Sequence, residues 1–165
     1  MSKSMYALVL GTLLSVGLVN SVKAQDNAGY SPFMLSFVDP IQVPPADFYV
    51  GGLKLNLPYG RCHDFLGLDI GLFSYCTGNA EGLHMGGVTA IGGNGTGLMI
   101  NVLANHVQGE YGGLQISFLN HASHLDGLQI GVVNICNTAY GVQIGVVNVI
   151  KDNDLPFFPI INGYF

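Results

Sequence analysis

The chain is 165 residues long, carries a formal net charge of −5 and contains 24 glycines, three cysteines and no tryptophan. Only 9% of its residues are charged while 49% are apolar, which excludes a disordered polyelectrolyte. The negative charge and the lack of a basic cluster exclude a nucleic-acid partner, and the length suits one domain.

Residues 1–24 read as a secretory signal. Lys3 supplies a positive start, Met5 to Val19 form an apolar run, and Val22-Lys23-Ala24 ends on a small residue. The run is short for a membrane span of about 20 residues, which favours cleavage after Ala24. Removal would take away Lys3 and Lys23 but no acid, leaving a more acidic chain. Residues 25–50 form a Pro-rich lead-in with Pro32, Pro40, Pro44 and Pro45 and one short strand over Phe33–Phe37.

From Gly52 a single motif repeats through the rest of the domain, residues 51–165. The clearest copies are Gly127-Leu128-Gln129-Ile130-Gly131-Val132-Val133-Asn134 and Gly141-Val142-Gln143-Ile144-Gly145-Val146-Val147-Asn148, with Gly113 to Asn120 close behind. Looser copies start at Gly52, Gly67, Gly82 and Gly97, so successive starts lie 14–16 residues apart. In the copy at Gly82, Thr89 or Ala90 stands where Asn is expected; in the copy at Gly97, Ala104 does. Each copy alternates with period two, which predicts a strand rather than a helix. One face carries Leu, Ile and Val; the other carries Lys54, Asp69, His84, Met99, Gln115, Gln129 and Gln143, followed by Asn, Ser or Gly. The uncharged stretch 127–150 mimics a membrane helix in hydropathy. Its four glycines and its Gln and Asn residues argue against one.

This pattern predicts an all-β fold with the following order of expectation. The first is an antiparallel up-and-down β-barrel of about eight strands, built from the seven repeats plus the aromatic tail Leu155–Phe165. Its Leu/Ile/Val face would meet lipid, its polar face would fill a narrow interior, and the terminal Phe165 would be the membrane-assembly signal. Pro159 interrupts the proposed closing strand. The alternatives are a β-solenoid, in which equivalent residues stack into Gln and Asn ladders and a Leu/Ile/Val core stripe, and a soluble rolled sheet with the Leu/Ile/Val face inward. The remaining six to eight residues of each copy, with Asn94-Gly95, Gly112-Gly113 and Asp126-Gly127, are expected to form turns.

Over Gly52 to Asn148 the chain resembles bacterial exported surface-repeat proteins built on Gly-Leu-Gln-apolar-Gly-apolar-apolar-Asn units. The resemblance implies export and a surface or envelope location, and it implies no activity.

Three cysteines, Cys62, Cys76 and Cys136, are candidates for a disulfide, and all lie near the expected turns. A meander would put Cys62 and Cys76 at opposite ends of a strand. A solenoid would put them on adjacent coils, within bridging distance. Lys54 and Asp69 occupy equivalent inward positions and could pair. The histidines His63, His84, His106, His121 and His124 show no metal-ligand spacing, the short clusters His121-x-x-His124 and Cys62-His63-Asp64 included. Gly92 to Gly97 lacks the Lys-Ser/Thr of a phosphate loop, and Asp152-Asn153-Asp154 reads as a solvated acidic turn. No catalytic, cofactor or metal constellation is expected. The functional expectation is an exported, non-enzymatic protein of the outer membrane or cell surface with a structural or adhesive role. The alternative is a soluble or periplasmic solenoid that binds a partner through its Gln/Asn ladder face.

Overall fold

A computed structural model describes residues 29–38 and 41–164. The signal segment 1–24 and Phe165 lie outside the described residues. The described chain is all β, and none of it forms a helix long and apolar enough to cross a membrane. Its strands are β1 (Tyr30–Val38), β2 (Ile41–Val43), β3 (Tyr49–Cys62), β4 (Phe65–Cys76), β5 (Ala80–Ile91), β6 (Gly95–Ile150) and β7 (Phe157–Gly163).

The repeats pair in parallel, not antiparallel. β1, β3, β4, β5 and the start of β6 lie side by side, each in parallel register with the next. Like sits beside like: Gly52 pairs with Gly67, Gly67 with Gly82, and Gly82 with Gly97. β6 continues the same stacking through three further copies, with Gly113 against Gly97, Gly127 against Gly113 and Gly141 against Gly127. The chain is therefore a β-solenoid in which each copy is one coil. The expected up-and-down barrel is overturned by this register.

The residues assigned to turns explain the error. They are mostly extended and carry the return path of each coil, as in β3, which runs unbroken from Tyr49 to Cys62. A parallel connection needs such a return path, whereas a barrel hairpin needs only a tight turn. The lead-in joins the stack as well. β1 pairs with β3 through Phe33↔Leu53 and Leu35↔Leu55, so Pro32 occupies the place of the repeat glycine.

The coil corner requires that glycine. Gly127 has φ +145°, and a Cβ there would lie 2.1 Å from the carbonyl oxygen of Gly113. No side chain fits so close a backbone approach. Both ends of the stack are closed by antiparallel strands. β2 folds back on β1, and β7 runs against the last coil through Val142↔Gly163 and Ile144↔Ile161. These strands cover the open edges that would otherwise template further pairing. The copy at Gly97 holds one extra residue, absorbed as a register shift, so Asn105 rather than Ala104 pairs with Thr89.

The interior has two halves. One is apolar and comprises two columns: Val50, Phe65, Ala80, Tyr111, Leu125 and Ala139, and Cys62, Cys76, Ile91, Val107, Ala122, Cys136 and Ile150. The other half is polar and consists of the second, fourth and seventh residues after each corner position, the last of these moved one place on in the copy at Gly97.

Candidate functional site

The polar half of the interior begins with a cluster of charge and sulfur on three neighbouring coils. Lys54, Asp69 and His84 are successive members of one inward column, because Lys54 pairs with Asp69 and Asp69 with His84 in the parallel register. Lys54 Nζ lies 3.3 Å from Asp69 Oδ2, and His84 Nδ1 donates to the same oxygen at 3.2 Å. Asp69 Oδ1 accepts from Asn56 Nδ2 at 2.8 Å and from Ser74 Oγ at 2.9 Å. The carboxylate thus receives polar contacts at both oxygens, which is what permits a charge in a closed interior. The Phe65 ring lies 5.7 Å from Lys54 Nζ and 5.1 Å from the His84 ring.

Two cysteines adjoin the pair. Cys62 and Cys76 are in register on adjacent coils, with sulfur atoms 2.9 Å apart. Lys54 Nζ donates to Cys76 Sγ at 3.7 Å. Burial alone would lower the Lys54 pKa, but Cys76 and Asp69 outweigh it and hold the ammonium charged, above its ordinary value. Burial would raise Asp69, and Lys54 followed by His84 overcomes that, so its carboxyl titrates below the usual carboxylate range. The thiols are driven apart: the hydrogen bond from Cys76, then Lys54, lowers Cys62, while the same bond and burial raise Cys76.

Lys54, Asp69, His84, Cys62 and Cys76 are each 0–1% exposed, so the cluster is closed to solvent. Its chemistry is internal: an ion pair that ties three coils together and a thiol pair placed to oxidise. The pairing of Lys54 with Asp69 foreseen from the repeat is present, between adjacent coils. Cys62 and Cys76 end β3 and β4 directly before the bends at 63–64 and 77–78, Cys136 lies within β6, and all three are buried. Cys136 lies on a distant coil, where Gln143 Nε2 approaches its sulfur at 3.4 Å. Burial and then Asp152 push its thiol up to about 12.

Beyond the cluster the same columns become amide ladders. Gln143 donates to Gln129 at 2.8 Å and Gln129 to Gln115 at 2.7 Å. Asn105 donates to Asn120, Asn120 to Asn134 and Asn134 to Asn148, at 2.8–2.9 Å. Each of these side chains is 0% exposed. The ladders are therefore interior, and a partner cannot be gripped through a Gln/Asn ladder face as the alternative expected.

The exterior is divided. Three outward columns on one flank are the residues one, three and five places after each corner. The first runs Phe33, Leu53, Leu68, Leu83, Leu98, Leu114, Leu128 and Val142; the second, Leu35, Leu55, Ile70, Met85, Ile100, Ile116, Ile130 and Ile144. The third runs Phe37, Leu57, Leu72, Gly87, Val102, Phe118, Val132 and Val146. None of these residues is buried, and Val102 reaches 75% exposure. No hydrogen-bonding or charged side chain interrupts the flank. Sequence alternation identified this face, but its outward direction was legible only in the barrel reading.

The remaining surface carries the polar groups. Glu81, Thr96, Gln108, Glu110, Asp126, Lys151 and Asp152 are exposed there. The His106 and His121 rings stack at 4.7 Å, and burial, then His106, lowers the His121 pKa. His63 and His124 bond to Thr77 and Thr138 on the next coil. Among the described residues, no three His, Cys, Asp or Glu side chains group to hold a metal ion. Gly92 and Gly93 pack against the preceding coil as part of the return path. Asn153, between Asp152 and Asp154, donates to the Gly163 carbonyl at 2.8 Å. The chain matches no family model, no curated protein and no solved structure with which it was compared.

Proposed function

We propose that this chain is an exported, non-enzymatic protein of the cell envelope or surface with a structural role. The observation that carries this reading is its one-sided exterior: an uninterrupted apolar flank on a rigid stack whose polar groups are turned inward or to the other sides. A contiguous apolar patch of that extent marks an attachment surface rather than ordinary soluble surface. The signal-like residues 1–24 and the resemblance to exported surface-repeat proteins point the same way. The polar cluster is closed to solvent, so it supports a scaffold and offers no entry for a substrate.

Fractionation of cells expressing the full-length chain tests the reading. The expected result is recovery in the envelope fraction, with residues 1–24 absent by mass spectrometry. Recovery of the intact chain in the cytoplasm would refute it.

A further inference from the structure

We propose that the apolar flank is a lipid-docking surface, seated on the acyl chains of an electrically neutral lipid layer. The proposal rests on the envelope reading above and names what the attachment surface holds.

Four observations converge. First, the three outward columns contain no polar side chain from β1 to the last coil. Protein interfaces are not built that way; even obligate ones are only about 65% apolar, with polar groups that fix register. Hydrocarbon asks for no hydrogen bond and tolerates none left unmade. Second, the backbone is already satisfied. Every coil bonds to its neighbours on both sides, so between the edge strands β2 and β7 the backbone N–H and C=O groups of the flank are paired within the stack.

Third, the size fits lipid better than a second copy. Eight rungs at about 4.8 Å, crossed by five residues at about 3.3 Å, project roughly 600 Å² of flat surface. That stands at the upper end of the largest apolar patch of an ordinary monomer, about 300–600 Å². It falls short of the ~800 Å² per partner of a standard protein interface. Fourth, the flank continues into a cavity of about 360 Å³ at the N-terminal cap, lined chiefly by Leu35, Phe37, Ile41, Val43 and Leu57. The volume lies in the ~300–1,000 Å³ range of small-molecule sites, and its apolar walls suit one acyl chain.

Charge selects the kind of lipid. Lys54, one of the three basic residues after position 24, is buried, and the others, Arg61 and Lys151, lie outside the three columns. Peripheral proteins that seek anionic lipid place Lys and Arg beside the apolar face. Their absence here points to neutral or zwitterionic lipid and to binding that salt does not weaken.

The test uses a polarity-sensitive nitrobenzoxadiazole label on Val102→Cys, in the apolar flank, and separately on Gln108→Cys, on a polar side. The native cysteines are buried, so the label goes to the introduced thiol. With phosphatidylcholine vesicles, emission at position 102 is expected to brighten and shift to the blue. Position 108 should stay unchanged, and so should the response when NaCl is raised from about 0.1 to 1 M. Adding Val146→Glu, on the same column, should weaken the partition measured at 102 by about tenfold or more. No change at 102 overturns the proposal, as does an equal change at 108, which a tether through residues 1–24 alone would leave dark. A shift at 102 that depends on protein concentration without vesicles assigns the flank to a second copy and overturns it too. Envelope recovery with no response at 102 removes the docking surface and leaves the envelope reading standing; cytoplasmic recovery with a full response does the reverse.

Discussion

Asp69→Asn isolates the energetic role of the buried cluster. Asp69 holds Lys54 at 3.3 Å, accepts from His84, Asn56 and Ser74, and is 1% exposed. An asparagine keeps the shape and one acceptor oxygen but leaves Lys54 charged, 0% exposed and without its counter-ion. Breaking a buried pair from one side costs about 3–5 kcal/mol, whereas replacing both partners by apolar or neutral groups is often close to neutral. Methionine already occupies this column at Met34 and Met99, beside Lys54 and His84. The double variant Lys54→Met/Asp69→Asn should therefore recover most of the loss, to within about 1 kcal/mol of the parent. Urea denaturation followed by far-ultraviolet circular dichroism at pH 7 measures all three chains. Hydrogen exchange should place the loss of protection over residues 50–91, because coils are stabilised by their nearest neighbours. If Asp69→Asn alone falls within about 1 kcal/mol of the parent, or the double variant is no better than the single, the cluster is not a coupled ion pair.

The other expectations are direct. Diamide, a two-electron thiol oxidant, should remove one hydrogen from each of Cys62 and Cys76 and join them. Peptide mapping after denaturing alkylation should then find Cys136 as the labelled cysteine, and a labelled Cys62 would refute the placement. The closed loop of about 15 residues predicts a gain of ~3 kcal/mol against unfolding. Gly127→Ala should cost about 2 kcal/mol or more, because its Cβ would meet the Gly113 carbonyl at 2.1 Å with φ at +145°. Gly112→Ala, where the nearest atoms stand 3.8 Å away, should be nearly neutral in the same melt. In acid, the depressed Asp69 pKa stabilises the fold above the unfolded carboxyl value of about 3.9, and that stability is lost as pH falls through the lower folded value. Lys54→Met/Asp69→Asn should flatten that limb; an unchanged acid limb would remove Asp69 as its source. In alkali, the Cys136 thiol raised to about 12 disfavours the fold once the unfolded thiol ionises, from about pH 8.5 upward. Cys136→Ala should shrink that loss between pH 9 and 11, measured by the urea midpoint, and no change would exclude Cys136 as a contributor.

Much of this arrangement was readable before any coordinates. The spacing of Gly52, Gly67, Gly82, Gly97, Gly113, Gly127 and Gly141 marks the coil corners, and the alternation sorts residues into two faces correctly. The equivalence of Lys54 and Asp69 also follows from the repeat, whereas Cys62, ten residues after its corner, meets Cys76, nine after its own, only through the register shift between Asn56 and Tyr59. The sense of the faces did not follow. The barrel reading turned the apolar face outward, correctly, within the wrong topology; the solenoid reading had the topology and put Leu, Ile and Val in the core. The copy at Gly97 misled for a local reason, since its extra residue moves the inward position from Ala104 to Asn105.

By itself, then, the sequence determined an all-β chain, the length of its repeat, and which side chains share a face. A period of two defines two faces without saying which is inside, and a repeat pairs equally well with itself in either direction. Only the tertiary structure decided both. Parallel stacking sets identical residues about 4.8 Å apart, where each Gln or Asn amide can donate to the next. The small residues four places after the corner, such as Gly86 against the Gly71 backbone, leave a bore too narrow for a second set of Leu and Ile. Polar groups that hydrogen-bond along the columns can be buried at low cost, and the large apolar side chains take the outside.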